Sequence, residues 1–438
     1  MSTTVVGVPE NLQRPVQKWS SNALILVWST LIFICGFIVR FAFLANANHD
    51  PLVKDPEPVQ VALSLLRTGR FADAYGPGVG LTAHMMPLHP MLLSWIFKLV
   101  GTGKAAETAM GAVASVASSI AFALLPLMAV VSGLGLAIGV VAGFLGALLP
   151  FNFWSQTSGM FDAPYTSVAL LLLVLTLTVI WKKGQFSNSE ALWFGIAAGL
   201  SFLLNPVLAA VVAGWAAASF FRFKQDLRRV ALFFLVSAAT VMLTLAPWAI
   251  RNHYALGSTI WTRSNFGLEL EVSNNDILGP DLETNVEGPY FELFHPLTGN
   301  AQRARVKRLG EVEYMRQKKE EAVQWISTHR ERFLILSAER FRLFWFPRLM
   351  RWWQSAGEDI LTILALIGAL LLYRRGNPLA WIAGAALIAY PAVYYIIQVS
   401  VRYRFPLEPI FFLLAATLLS PIADRYFPAL KRRMNFTI

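Results

Sequence analysis

Charge is scarce in this sequence: Asp, Glu, Lys and Arg make up 14% of its 438 residues, against roughly 25% in an ordinary soluble domain. That shortage, beside 56% apolar residues, excludes a soluble fold, a disordered chain and a collagen-like one. Cysteine is scarcer still. The single Cys35 sits inside the first apolar run, so neither an intrachain disulfide nor a thiolate zinc cluster can form. Acidic residues are also in deficit, 26 against 37 Lys and Arg, for a net charge of +11. Cytoplasmic loops and anionic lipid account for such an excess in a membrane chain, so no nucleic-acid partner is implied.

What the chain has instead is apolar stretches that recur from Ala23 to its end. Runs of about 18 residues or more must satisfy their backbone hydrogen bonds inside lipid, which makes them helices. The expected fold class is all-α and polytopic. The run from Ala23 to Leu44 exceeds the roughly 7 to 15 residues of a signal-peptide core, so it reads as a retained first helix. Further spans are expected near 106–129, 134–150, 163–182, 190–204, 206–221, 230–247, 357–373, 379–397 and 406–421.

Lys182 and Lys183, Arg222 to Arg229, Arg374 and Arg375, and the basic tail follow alternate spans, which puts both termini in the cytoplasm. Asn205-Pro206 separates two short spans that are either distinct or one kinked element. The division is then a polar tail over 1–21, a transmembrane region over 22–247 with an external loop at 45–90, a long external loop over 248–356, and a transmembrane region with a basic tail over 357–438.

The two external loops carry the chemistry. The first holds Asp50, Asp55 and Glu57 close to the membrane exit, where a carboxylate can orient or deprotonate an acceptor hydroxyl opposite a leaving group. Val59, Ala62, Leu63 and Leu66 form a helical stripe expected to lie on the outer leaflet, and 88–100 is an apolar segment too short to span. The GPGVG that follows the stripe reads as a turn.

His49 beside Asp50, with His84 and His89, offers ligands for a divalent metal, although a spacing of five does not put two ligands on one helix face. Asp162, at the start of a span, is either a helix cap or a second acid. Arg251, Arg402 and Arg404 stand at the outer face, either snorkelling or gripping a phosphate head group with their planar forks. In the long loop, Ala322, Ile326, His329, Phe333 and Leu336 fall at helical spacing and predict one amphipathic helix.

Several motifs, in this order, resemble a known family: an acidic first loop ending in Pro87-Leu88-His89-Pro90, PWAIRN followed by RSNFGLEL, LGEVEYMRQKKEEAVQWI, and RYRFPLEP. The chain resembles polytopic glycosyltransferases of the C superfamily (GT-C), nearest the aminoarabinose-transferase and protein O-mannosyltransferase branch. The resemblance implies a bundle of about ten to twelve transmembrane helices with interfacial helices in the external loops, in a bacterial inner membrane with the active site outside. It implies inverting transfer from a polyprenyl-phosphate sugar to a lipid, glycan or protein acceptor, assisted in some members by a divalent metal.

Carried onto these residues, the catalytic acid is Asp50 or Asp55, then Glu57, with Asp162 as the second-loop acid. Asp162 would join His49 and Asp50 at a metal, Arg251, Arg402 and Arg404 would hold the donor phosphate, and His84, His89, Asn265, Glu269 and Tyr403 would line the substrate. The competing expectation is a transporter or flippase of a lipid-linked sugar. Against it, the spans are almost free of the ionisable residues that mark a translocation path.

Overall fold

The computed structural model describes residues 21–46, 55–149 and 151–421. Asp50 and His49 fall outside them. The chain enters with α1 (Ser21–Asn46) and folds its first loop into α2 (Glu57–Thr68) and α3 (Leu88–Val100). Then come α4 (Lys104–Ala123), α5 (Leu125–Val131), α6 (Leu136–Leu148), the short α7 (Phe153–Thr157), α8 (Ala163–Lys183), α9 (Asn188–Leu204), α10 (Leu208–Arg222) and α11 (Leu227–Leu256). The long loop builds α12 (Phe266–Ser273), α13 (Leu282–Glu287), α14 (Asn300–Leu309), α15 (Glu311–Thr328) and α16 (Arg330–Trp345). Last are α17 (Trp352–Arg374), α18 (Pro378–Ala389), α19 (Val401–Arg404) and α20 (Glu408–Ala416).

Six helices among the described residues are long and apolar enough to cross a membrane: Asn22–Asn46, Lys104–Val131, Ala163–Lys183, Leu227–Leu256, Trp352–Arg374 and Pro378–Tyr395. The chain is an integral membrane protein. The expected spans near 134–150, 190–204, 206–221 and 406–421 are helices of 13, 17, 15 and 9 residues. At 1.5 Å per residue they fall short of a hydrocarbon core of about 30 Å and pack among the longer ones. Close packing is built into the sequence of α6. A Cβ added at Gly139 would lie 2.6 Å from the Leu125 carbonyl oxygen, and one at Gly143 2.6 Å from Ile32, so only glycine admits this approach to α5 and α1.

Asn205-Pro206 is a true break. Asn205 is extended (φ −145°, ψ 112°) and its Oδ1 accepts from the Val207 N–H, replacing a backbone bond the proline cannot support. The expected continuous helix through His329 is likewise two, because His329 leaves helical geometry (φ −121°, ψ 46°) between α15 and α16. The apolar stripe of α2 also has a different partner from the one expected. Val59 and Ala62 are buried against Leu93, Ile96 and Phe97 of α3, so that face meets protein rather than lipid; Trp95 and Leu99 of α3 stay exposed, as an interfacial helix requires.

Among the described residues the largest core runs through the bundle from Ile32 to Phe412. A second gathers Val61, Tyr75, Trp248, Leu268, Phe291 and Tyr314 from both loops, so the first and long loops form one body packed at the ends of the membrane helices.

Candidate active site

Glu311 fastens the two loops together. Its carboxylate accepts from the Thr82 hydroxyl, the Ala83 N–H at 2.7 Å and the Ser264 hydroxyl at 2.7 Å, while the Ser264 N–H donates to the Ala83 carbonyl at 3.0 Å. A buried carboxylate with several donors is a stable tie. It sets His84, next to Ala83, beside Arg263 and Asn265, which flank Ser264.

Those residues line a cavity. Asp162, Arg263, Asn265, Glu269, Arg402 and Tyr403 are shared by two adjoining chambers. One, of about 430 Å³, is walled by Asn205, Val207, Tyr390, Val393, Tyr394 and Ile397 at the ends of membrane helices. The other, of about 100 Å³, is lined by Glu57, His84, Phe291 and His295 of the two loops together with Gln398, which follows α18. A charged throat therefore lies between a larger, more apolar chamber walled by the membrane helices and a smaller, more polar one between the loops.

The charges are arranged in pairs. Arg263 Nη2 lies 3.4 Å from Asp162 Oδ2, and His295 Nε2 lies 3.4 Å from Glu57 Oε1. Asp162 sits at the N-cap of α8 yet makes no side-chain capping bond; its carboxylate turns into the cavity. The Arg402 guanidinium lies 3.7 Å from the ring centre of Phe161 and donates to the Tyr403 hydroxyl at 3.2 Å, and Tyr403 stacks on Tyr394 at 4.4 Å. Arg402 is thus oriented by aromatic faces, and among the described residues no carboxylate pairs with it directly. Asn265 Nδ2 donates to Glu269 Oε1 at 3.1 Å.

Burial dominates the titration of these groups. It raises the carboxyls of Glu57 and Glu269 above their usual value, with Arg402 and Arg263 pulling Glu57 back and His295 most strongly opposing the shift at Glu269. It pushes His295 down to about 4 and His84 well below the ordinary histidine value. Near neutral pH the Glu57–His295 contact is therefore between a carboxyl group and a neutral imidazole.

Of the residues singled out from sequence, Glu57, Asp162, His84, Asn265, Glu269, Arg402 and Tyr403 come together here. Others do not. Asp55 is exposed and adopts φ 54°, outside the lining, so of the first-loop acids in the described residues it is Glu57 that faces the cavity. Arg251 is spent on structure: it donates to the carbonyls of Thr82 and Phe71 at 2.6 Å each, between the rings of Phe71 and Trp248. Arg404 points the opposite way from Arg402 and is buried against Glu358, at 2.9 Å. His89 is buried, its Nε2 on the Gly159 carbonyl at 3.2 Å.

Sequence reasoning missed Arg263, although it opens the RSNFGLEL motif, and His295, whose only signal is a histidine in a polar loop. For a divalent metal the described residues offer no group of three or more His, Cys, Asp or Glu side chains placed to hold it. Asp162 is paired with Arg263 instead of with other ligands, and the expected partners His49 and Asp50 lie outside the described residues.

The whole architecture has counterparts among solved structures. The oligosaccharyltransferase of Archaeoglobus fulgidus in its apo form superposes with a TM-score of 0.56 at 12% identity, over 93% of this chain and 51% of the other. Its form crystallised with Zn and sulfate gives 0.52 at 14% identity, over 94% and 50%. The chain has the GT-C fold. It spans about half the length of the oligosaccharyltransferase it matches. ArnT from Cupriavidus metallidurans, bound to undecaprenyl phosphate, aligns over 92% of this chain and 79% of the other at 10% identity, but with a TM-score of 0.31, too loose to argue from. No family model and no curated protein matches by sequence. In this fold the cavity lies where the first and long loops meet the ends of the membrane helices.

Proposed function

We propose that the protein is a membrane glycosyltransferase that moves a sugar, with inversion, from a polyprenyl-phosphate donor to a lipid, glycan or protein acceptor at the outer face. The observation that supports this reading is a cavity in which carboxylates and guanidinium groups border open space between a more apolar and a more polar chamber. The apolar chamber suits the lipid end of a donor and the polar chamber suits the sugar and the acceptor hydroxyl. Arg402, aided by Arg263, neutralises the phosphate as it leaves.

Glu57 accepts the acceptor hydroxyl's proton while the acceptor oxygen attacks the anomeric carbon. The bond from that carbon to the phosphate oxygen breaks, and its electron pair leaves on the polyprenyl phosphate. The carboxyl of Glu57, raised by burial, is a stronger base than an exposed one. Asp162 holds Arg263 towards the phosphate, and Asn265 and Glu269 present polar groups to sugar hydroxyls. The described donor set does not form a metal cradle, and no step here is routed through a metal.

The test is sugar transfer by the purified protein in nanodiscs from a panel of radiolabelled polyprenyl-phosphate sugars, with and without chelator. Release of polyprenyl phosphate that disappears in Glu57→Gln is the expected result. Binding or movement of intact lipid-linked sugar with no donor consumed would replace this reading with a transporter.

A further inference from the structure

His295 is held more firmly than a loop histidine needs to be. Its ring stacks on Phe291 with centres 5.0 Å apart and planes 11° from parallel, and Tyr75 meets it edge-on at 6.0 Å. Its Nδ1 accepts from the Leu297 N–H at 3.2 Å. A neutral imidazole whose Nδ1 is an acceptor carries its proton on Nε2, and Nε2 is the atom that lies 3.4 Å from Glu57 Oε1. The backbone has thereby chosen the tautomer, and two aromatic rings have chosen the direction in which its proton points.

We infer that His295 is a positioning residue for Glu57: its Nε2–H orients one carboxylate oxygen, leaving the other for the acceptor hydroxyl. The inference rests on the reading of Glu57 as the base. At 3.4 Å the two atoms face each other without yet meeting hydrogen-bond geometry, as catalytic contacts often do before substrate closes the site. The charged and titratable groups facing the ring are Glu57 from α2, Tyr75 and His84 from the first loop, Glu269 from α12 and Lys318 from α15. Of these, Glu57 is the one in direct contact with Nε2. A neutral donor on a carboxylate stabilises its charged form, so removing the donor raises the carboxyl's titration point.

The experiment uses the full-length protein in nanodiscs and three forms: wild type, His295→Asn and His295→Gln. Asn keeps an amide near the place of Nδ1 and loses the Nε2 donor, whereas Gln can return a donor to that place. Two readouts are taken. One is the pH at which half of Glu57 is labelled by a water-soluble carbodiimide and an amine, which reacts with the protonated carboxyl. The other is kcat and donor KM against pH.

The expected result in His295→Asn is a labelling midpoint and an acidic limb of kcat both moved up by about one pH unit, which is tenfold in rate on that limb, with donor KM unchanged. His295→Gln brings both part of the way back. An identical midpoint in all three forms, or a fall in kcat without a shift, overturns the inference and leaves His295 a packing residue. Should Glu57→Gln transfer sugar at the wild-type rate, the reading of Glu57 as base fails, while the labelling midpoints still decide whether His295 controls it.

Discussion

Two charged clusters sit within a few residues of each other on this chain, and they differ in what surrounds them. In the cavity, Arg402, Arg263, Asp162 and Glu57 border about 430 Å³ and 100 Å³ of open space. In the bundle, Arg404 spends its guanidinium on Glu358, the Thr362 hydroxyl and the carbonyls of Phe344 and Trp345. Nearby, Asn152 donates to Glu408 at 3.2 Å and Arg40 caps the carbonyls of Gly36, Gly146 and Ala147.

The spans were expected to be nearly free of ionisable groups; Arg40, Glu358 and Glu408 are buried within them, and Arg40, Glu358 and Arg404 line neither chamber. A translocation path needs charge beside a route. Most of this cluster's hydrogen bonds run between its own helices, with only Arg40 Nε and Glu358 Oε1 among the charged groups of Arg40, Glu358 and Arg404 left without a partner, so its charge ties helices together, while the same residue types beside open space can meet a substrate.

That contrast can be broken in five ways. Glu57→Gln should lower transfer about 10²-fold to 10⁴-fold with the unfolding temperature unchanged; a loss of fold of similar size would return Glu57 to a structural part. Arg404→Ala should do the reverse, destabilising by about 3–5 kcal/mol because it strands the buried Glu358, read as loss of folded protein in detergent. The double substitution Glu358→Leu, Arg404→Met should regain most of that stability; no recovery would mean that the pair does more than balance its own burial.

Arg251→Ala should cost about 1–3 kcal/mol by leaving the Thr82 carbonyl without a donor and the Phe71 carbonyl with only the Thr82 N–H, with donor KM unaffected; a rise in KM that exceeds the stability loss would bring Arg251 back to the donor phosphate. The smallest effect is in pH. Since burial raises Glu57, its deprotonated form appears only above the usual carboxylate value of about 4.3. Transfer should therefore fall off with acid at a pH above that value, and an acidic limb at or below it would contradict the burial.

Much of this was legible in the residues, for identifiable reasons. Hydropathy located the membrane helices because lipid leaves the backbone no other choice. Asp162 and the Arg402–Arg404 turn stood out because charge at the ends of apolar helices is rare, whereas Glu57 stood behind Asp50 and Asp55 among the first-loop acids. The side chains' directions were not legible. Arg402 and Arg404 share a four-residue helix on which residues two apart point nearly opposite ways, and nothing in RYRFPLEP says which of them meets the cavity. An apolar stripe does not say whether protein or lipid covers it, hence the expectation that α2 lies on the leaflet. Periodicity runs through His329 although the backbone turns there. His295 acquires its place only when the long loop folds over the first, a contact between residues more than two hundred positions apart.

The most direct test is turnover per folded molecule in Arg402→Ala and Arg404→Ala, measured as polyprenyl phosphate released and normalised to folded protein. The account predicts that Arg402→Ala folds normally and releases about 10²-fold less, while Arg404→Ala yields little folded protein whose remaining molecules turn over within a few-fold of wild type. Normal turnover in Arg402→Ala, or a well-folded and inactive Arg404→Ala, would contradict it.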